Sequence, residues 1–179
     1  MISTNPATAA KLVKELQTEI RATVGNIRRL VYDLRPPTLD ELGLLAAVRE
    51  RAVQYSNAPD GFHVTVDAPA ELPALPAAVE VAAYRIVQEA LENVSKHSQA
   101  RQCMIRFANH NGLEVEITDD GIGLPSNITP GVGLRSMRER AEELGGSCVI
   151  ERGANSGTHV LARLPIGEFN GNFARTDRG

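Results

Sequence analysis

The most apolar stretch of the chain carries three polar residues at a fixed spacing. Glu89, Asn93 and His97 stand at i, i+4 and i+8 among Val79, Ala82, Ala83, Ile86, Ala90, Leu91 and Val94. On an α-helix this spacing puts a carboxylate, a carboxamide and an imidazole on one face, about one turn apart. Buried polar groups are costly without partners, so the stripe predicts a face turned to a cleft or a ligand. Glu92 and Lys96 lie beside it, and a solvated helix face is the competing reading.

A second group lies in a glycine-rich loop. Asp119-Asp120-Gly121-Ile122-Gly123 follows directly on an alternating segment that ends at Thr118. A carboxylate at a strand end can accept a hydrogen bond from an exocyclic amine such as that of adenine, and Gly121 and Gly123 let backbone approach a flat ring closely. Further on, Gly131-Val132-Gly133-Leu134 opens a helix. Its free N–H groups and positive dipole end suit phosphates. One G-x-G is weak evidence, and two of them in one loop, behind a helix carrying Glu89 and Asn93, are stronger.

These residues need elements to hold them. Asn5-Pro6 reads as a helix start, and Val13, Leu16, Ile20, Thr23, Ile27, Leu30 and Leu34 form a heptad seam with one polar position. Three heptads favour packing against other long helices over one helix lying on its own domain. Pro36-Pro37 stops that helix. Thr38-Leu39-Asp40-Glu41 fits a capping box, with Leu44, Leu45, Val48, Ala52 and Tyr55 on an apolar face as far as Ser56. Residues 62–67 alternate as a strand, and a Pro-rich stretch leads into a helix over 77–98. Strands over 102–109 and 113–118 flank Asn111-Gly112, a hairpin signal. A helix over 134–144 closed by Gly145-Gly146, and strands over 148–152 and 158–164, complete the pattern. This order predicts an α+β (α/β) two-layer sandwich, a mixed, mostly antiparallel sheet covered by helices on one face and preceded by one long helix.

Composition narrows the function. The 179 residues carry 19 Lys+Arg against 22 Asp+Glu, a net charge of −3, which offers no electrostatic footprint for direct nucleic-acid binding. No apolar run approaches a membrane span, and nothing near Met1 reads as a signal peptide. Cys103 and Cys148 have no CxxC or His spacing and read as reduced core thiols. The glycines do not form GxGxxG after a first strand, GxxxxGK[ST] is absent, and so is GxSxG. His63, His97, His110 and His159 show no metal-ligand spacing.

Residues 88–97 (QEALENVSKH) resemble the N box of the GHKL ATP-binding fold, residues 119–123 (DDGIG) its G1 box and residues 131–134 (GVGL) its G2 box. Gly157-Thr158 is similar to the threonine position at the adenine end of that pocket. LRPPTLDELGL at 34–44 and GLRSMRERAEELGG at 133–146 resemble sensor histidine kinases of the LiaS- and DesK-like subfamily. The resemblance implies an ATP-dependent protein-histidine kinase of two-component signal transduction, with ATP and Mg²⁺ as cofactors. Asn93 would ligate Mg²⁺, and Glu89 would be the catalytic residue that helps position the metal, its water or the attacking group. Asp119 would bind the adenine amine with Gly121, Gly123 and, through water, Thr158. Gly131, Gly133 and Leu134 would serve the phosphates beneath a lid over 125–130, and Lys96 and His97 would stand near the phosphate end. For Arg135 and Arg138, phosphate contact and a solvated face remain equal readings.

The family's phosphoacceptor histidine sits in a stretch like E-L-H-D, and none of the four histidines here matches it. Residues 1–36 are therefore expected to be the second helix of a dimerisation bundle, 37–167 the catalytic domain and 168–179 a flexible tail. The expectation is a cytoplasmic, C-terminal piece of a membrane-anchored, homodimeric kinase. Its partners would be the histidine-bearing dimerisation segment and a response regulator with helix-turn-helix output. The alternatives are another GHKL ATPase or a serine kinase of the anti-sigma type, and a non-catalytic, nucleotide-gated dimerisation module.

Overall fold

The computed structural model describes residues 36–124, 131–153 and 156–166. The heptad helix over 6–34, the lid over 125–130 and the tail from 167 lie outside the described residues. The chain divides into two compact units between Pro37 and Thr38.

Helix α1 spans Pro37–Ser56, strand β1 His63–Asp67 and helix α2 Ala77–Asn93, which runs on into a π-helical turn over Val94–Ser98. Strands β2 (Gln102–Asn109) and β3 (Leu113–Asp119) follow, then helix α3 (Val132–Glu143) and strands β4 (Ser147–Arg152) and β5 (Thr158–Leu164). One five-stranded sheet results, in the order β1-β2-β3-β5-β4. Among the described residues only the β1–β2 pair is parallel. The hairpin at Asn111-Gly112 forms as the dipeptide predicts, with φ of 59° and 154°.

Period-two alternation sets the two faces of the sheet. Cys103, Ile105 and Phe107 of β2 point inward, as do Leu113, Val115 and Ile117 of β3, against the buried side of α2. Asp119 is the next inward position of that same β3 row and is only 5% exposed. A carboxylate thus sits at the end of a hydrophobic column because the strand period delivers it there. The outer face is polar: Asp67, Arg106, Glu116, His159 and Glu151 run across all five strands with neighbouring polar groups 3.0–3.4 Å apart. Such exposed pairs contribute little each, and they keep this face compatible with water.

Two helices depart from the simple pattern. In α1, Gly43 has φ 72° and ψ 173°, which breaks the helix into two pieces. Leu39 and Leu44 are both buried although residues five apart face different sides of one regular helix, so the break lets both reach the core. The helix expected over 77–98 is α-helical only to Asn93, after which the backbone widens to i→i+5 bonding, and Gln99 ends it in the left-handed region at φ 54°. Helix α3 starts two residues earlier than expected, which places Gly133 and Leu134 inside its first turn.

Candidate nucleotide site

A cavity of about 570 Å³ opens between the end of α2, the start of α3 and the ends of β3 and β5. Its lining joins Glu89, Asn93, Lys96 and His97 from the end of α2 and the π turn with Asp119, Gly123 and Thr158 from the strand ends and with Gly131, Gly133 and Leu134 from the start of α3. Apolar Ile117, Met137, Ile150 and Val160 make the floor. Of the eleven site residues read from the sequence, only Gly121 lies outside the lining. Its part is indirect: the Gly121 N–H donates to Asp119 Oδ1 at 2.8 Å.

Asp119 is the most constrained group here. Its second oxygen, Oδ2, accepts from the backbone N–H of Thr158 at 3.1 Å. Thr158 therefore meets this carboxylate through its main chain, a contact that side-chain chemistry does not reveal. Gly157 makes the contact feasible, because at φ 74° a Cβ there would run into the Asp119 carbonyl oxygen. With each oxygen held by one amide, each keeps a lone pair to accept from a ligand.

The wall on α2 differs from the expected stripe at its far end. Glu89 and Asn93 keep the i, i+4 relation inside regular helix, and the amide nitrogen of Asn93 is buried without a partner. The π turn then carries Lys96 and His97 to the exposed edge of the cavity and buries Ser98 instead. Lys96 forms an ion pair with Glu92 one turn back, and this hydrogen-bonded carboxylate raises the ammonium pKa above its ordinary value.

Above the cavity, Gly133 faces Glu89 so closely that a Cβ would collide with Glu89 Oε1. Gly131 has no such constraint, since a Cβ there meets nothing. The first-turn amides of α3 lack intrahelical acceptors and lie on the cavity rim. Arg135 pairs with Glu139 on the exposed side of α3, and neither Arg135 nor Arg138 lines the cavity, which favours their solvated reading.

Two residues at the site's edge received no role from the sequence. Ser98 Oγ donates to the Val94 carbonyl at 2.8 Å and accepts from the Ala100 N–H at 3.0 Å, while its carbonyl accepts from the Ile122 N–H at 2.8 Å. It thus ties the end of α2 to the glycine loop. Asp120 Oδ1 accepts from the N–H groups of Gln102 and Arg101, which holds its carboxyl below the usual carboxylate range. Ser98 bonds locally through its side chain and to the distant Ile122 through its carbonyl, while the side-chain partners of Asp120 are distant in sequence; the one available signal is a short polar side chain at an element end.

Residues 78–168 match the family of histidine kinase-, DNA gyrase B- and HSP90-like ATPases. The chain belongs to that ATPase family. Its members bind ATP. The chain is 31% identical over 161 residues to the signal transduction histidine-protein kinase/phosphatase DegS of Brevibacillus brevis, covering 88% of this chain and 42% of DegS. Over 157 residues it is 33% identical to the oxygen sensor histidine kinase NreB of Staphylococcus carnosus, covering 86% of this chain and 45% of NreB. This ATPase-family chain thus spans less than half the length of these two relatives.

Solved structures share the fold. A histidine kinase domain from the blue-light activated histidine kinase of Erythrobacter litoralis superposes with a TM-score of 0.56 at 24% identity, over 68% of this chain and 60% of that one. The ATP-binding domain of PrrB from Mycobacterium tuberculosis gives 0.53 at 24% identity, over 69% and 91%. Among the described residues no helix is long and apolar enough to cross a membrane.

Proposed function

We propose that this chain is the ATP-binding catalytic part of a sensor histidine kinase in two-component signalling. It would donate the γ-phosphoryl group of ATP to a histidine carried by a segment other than those described. The observation that carries the reading is the pairing of Asp119, a buried carboxylate aimed by two amides, with the orphaned amide of Asn93 across one cavity. A purine amine suits the first, and an acceptor such as a phosphate oxygen would satisfy the N–H donor of Asn93 that the fold leaves unpaired, while its Oδ1 stays free to ligate a cation.

Asp119 would select adenine, with Gly121 and Gly123 shaping the loop against the base and Thr158 holding the carboxylate in place. The exposed α3 amides around Gly133 and Leu134, beside Gly131, would receive phosphate oxygens at a helix N-terminus. Lys96 and His97 stand at the cavity edge, where they would add positive charge or a donor. Mg²⁺ fits the Asn93 position, since this ion keeps several waters and needs few protein oxygens when phosphates supply the rest. When bound, the ion would neutralise charge developing on the phosphates. Glu89, on the same face one turn earlier, would orient the attacking group or the metal's water. Catalysis of this kind is mainly positioning in a water-poor cleft.

The histidine-kinase names of the relatives support a response regulator as the downstream partner. We further propose that this regulator has a helix-turn-helix output and that the parent is a homodimer anchored in the membrane, with this part in the cytoplasm. The experiment is equilibrium binding of fluorescent ATP and GTP, with and without Mg²⁺. Wild type should prefer ATP, Asp119→Asn should lose that preference, and Asn93→Ala should lose the Mg²⁺-dependent part of the affinity. A helical segment bearing the acceptor histidine, supplied in trans, should become acid-labile phosphohistidine. Binding without any label would instead favour a nucleotide-gated module.

A further inference from the structure

The loop that carries the purine-facing carboxylate is held from outside the cavity. The β2–β3 ladder ends at the Cys103–Asp119 pair, and at the next step a side chain joins one main-chain bond. Asp120 is exposed, yet its Oδ1 accepts from the Arg101 N–H at 2.7 Å and from the Gln102 N–H at 2.9 Å. Its own N–H donates to the Gln102 carbonyl at 3.2 Å. Three bonds thus clamp the chain to the start of β2 at the residue immediately after Asp119.

The direction in which the chain leaves that clamp decides two further contacts. The Gly121 N–H must return to Asp119 Oδ1, and the Ile122 N–H must reach the Ser98 carbonyl at the end of the π turn. The space for this path is narrow. A Cβ on Gly121 would meet Ser98 Cβ at 2.7 Å and Asp119 Oδ1 at 2.8 Å. Since the Gly121 amide is one of the two donors that aim the Asp119 carboxylate, a shift of the chain at Asp120 turns that carboxylate.

We infer that Asp120 is a positioning residue for nucleotide selection: by clamping the β3 exit to β2 it fixes the orientation of the Asp119 carboxylate without touching the ligand. This inference rests on the proposed role of Asp119 in adenine recognition. Hydrogen bonds to an ionised acceptor are about twice as strong as neutral ones. Full removal in Asp120→Ala should therefore weaken ATP binding and lower the ATP-over-GTP preference by about tenfold, and Asp120→Asn, which keeps an oxygen acceptor, by about threefold.

The test measures ATP and GTP affinity of wild type, Asp120→Ala and Asp120→Asn alongside their thermal midpoints. A graded loss of preference, with alanine below asparagine below wild type, supports the positioning role. A lower midpoint with the ATP-over-GTP ratio unchanged overturns it, because a merely structural clamp does not act on base discrimination. If Asp120→Ala does not fold, the asparagine variant decides alone, and an unaltered ratio there overturns the role. Absence of any ATP preference in wild type refutes the adenine reading of Asp119 itself, an outcome distinct from wild-type preference that survives in both variants.

Discussion

Replacing Gly133 by alanine sets two physical effects against each other. Gly133 occupies the first turn of α3 without a positive φ, so local backbone physics favours alanine by about 0.5–1 kcal/mol. A Cβ there lands on Glu89 Oε1, with Glu89 Cδ at 2.9 Å and Cγ at 3.5 Å. The colliding atom is the tip of a flexible side chain, so the backbone stays and Glu89 rotates away, at a rotamer cost of about 0.5–1.5 kcal/mol. The two terms nearly cancel. A thermal scan should therefore place Gly133→Ala within about 3 °C of wild type. Phosphoryl transfer responds differently, because the carboxylate has left its place on the α2 wall. Displacement of a positioned group by about 1 Å costs about a hundredfold, so transfer to a histidine helix supplied in trans should fall by at least that factor. ATP affinity, which relies on Asp119 and not on Glu89 in this reading, should change only a few-fold. The assay is single-turnover phosphohistidine formation at saturating nucleotide, read beside the midpoint. Wild-type transfer in a folded Gly133→Ala protein would refute the reasoning about Glu89, and so would an activity loss that merely tracks unfolding.

Three further outcomes follow from the same geometry. Ser98→Ala removes the donor to the Val94 carbonyl and the acceptor of the Ala100 N–H, so urea unfolding should show a loss of about 1–2 kcal/mol, with Ser98→Thr less affected. Gly157→Ala forces a Cβ against the Asp119 carbonyl oxygen at positive φ, where backbone must move; it should destabilise the domain by about 2 kcal/mol or more and reduce nucleotide binding beyond what the folded fraction explains. Burial pushes the Cys103 thiol up to about 12 and the Cys148 thiol up to about 11. A thiol reagent at pH 8 should thus label neither in the native protein and both in denaturant. The sign of the linkage is also fixed: these raised values favour the fold below the ordinary thiol value of 9.0, and that contribution is lost as pH rises through 11 to 12. Alkaline unfolding should be less steep in a Cys103→Ala, Cys148→Ala protein.

Much of the cavity was legible because its parts obey short periods. The four-residue step puts Glu89 and Asn93 on one helix face, and the two-residue step carries Leu113, Val115 and Ile117 inward to Asp119. The G-x-G segments mark where the chain comes close to something else. For Gly133 that partner is Glu89, and for Gly121 it is Ser98. Sequence could not name either partner, since the contacts join segments tens of residues apart.

By itself the sequence determined the order of helices and strands, the mostly antiparallel sheet, the hairpin at Asn111-Gly112 and the shared helix face of Glu89 and Asn93. All of these follow from side-chain periodicity or from the φ values particular residue types tolerate. Tertiary structure alone decided how those residues are aimed. The break at Gly43 lets Leu39 and Leu44 share one core, and the π turn exchanges His97 for Ser98 at the buried position. The carboxylate of Asp119 takes its direction from the amides of Gly121 and Thr158, and Asp120 takes its partners from the start of β2. Backbone N–H groups are the same at every residue except proline, so no residue type announces which amide a carboxylate will find. That pairing exists only once β2, β3 and β5 lie side by side.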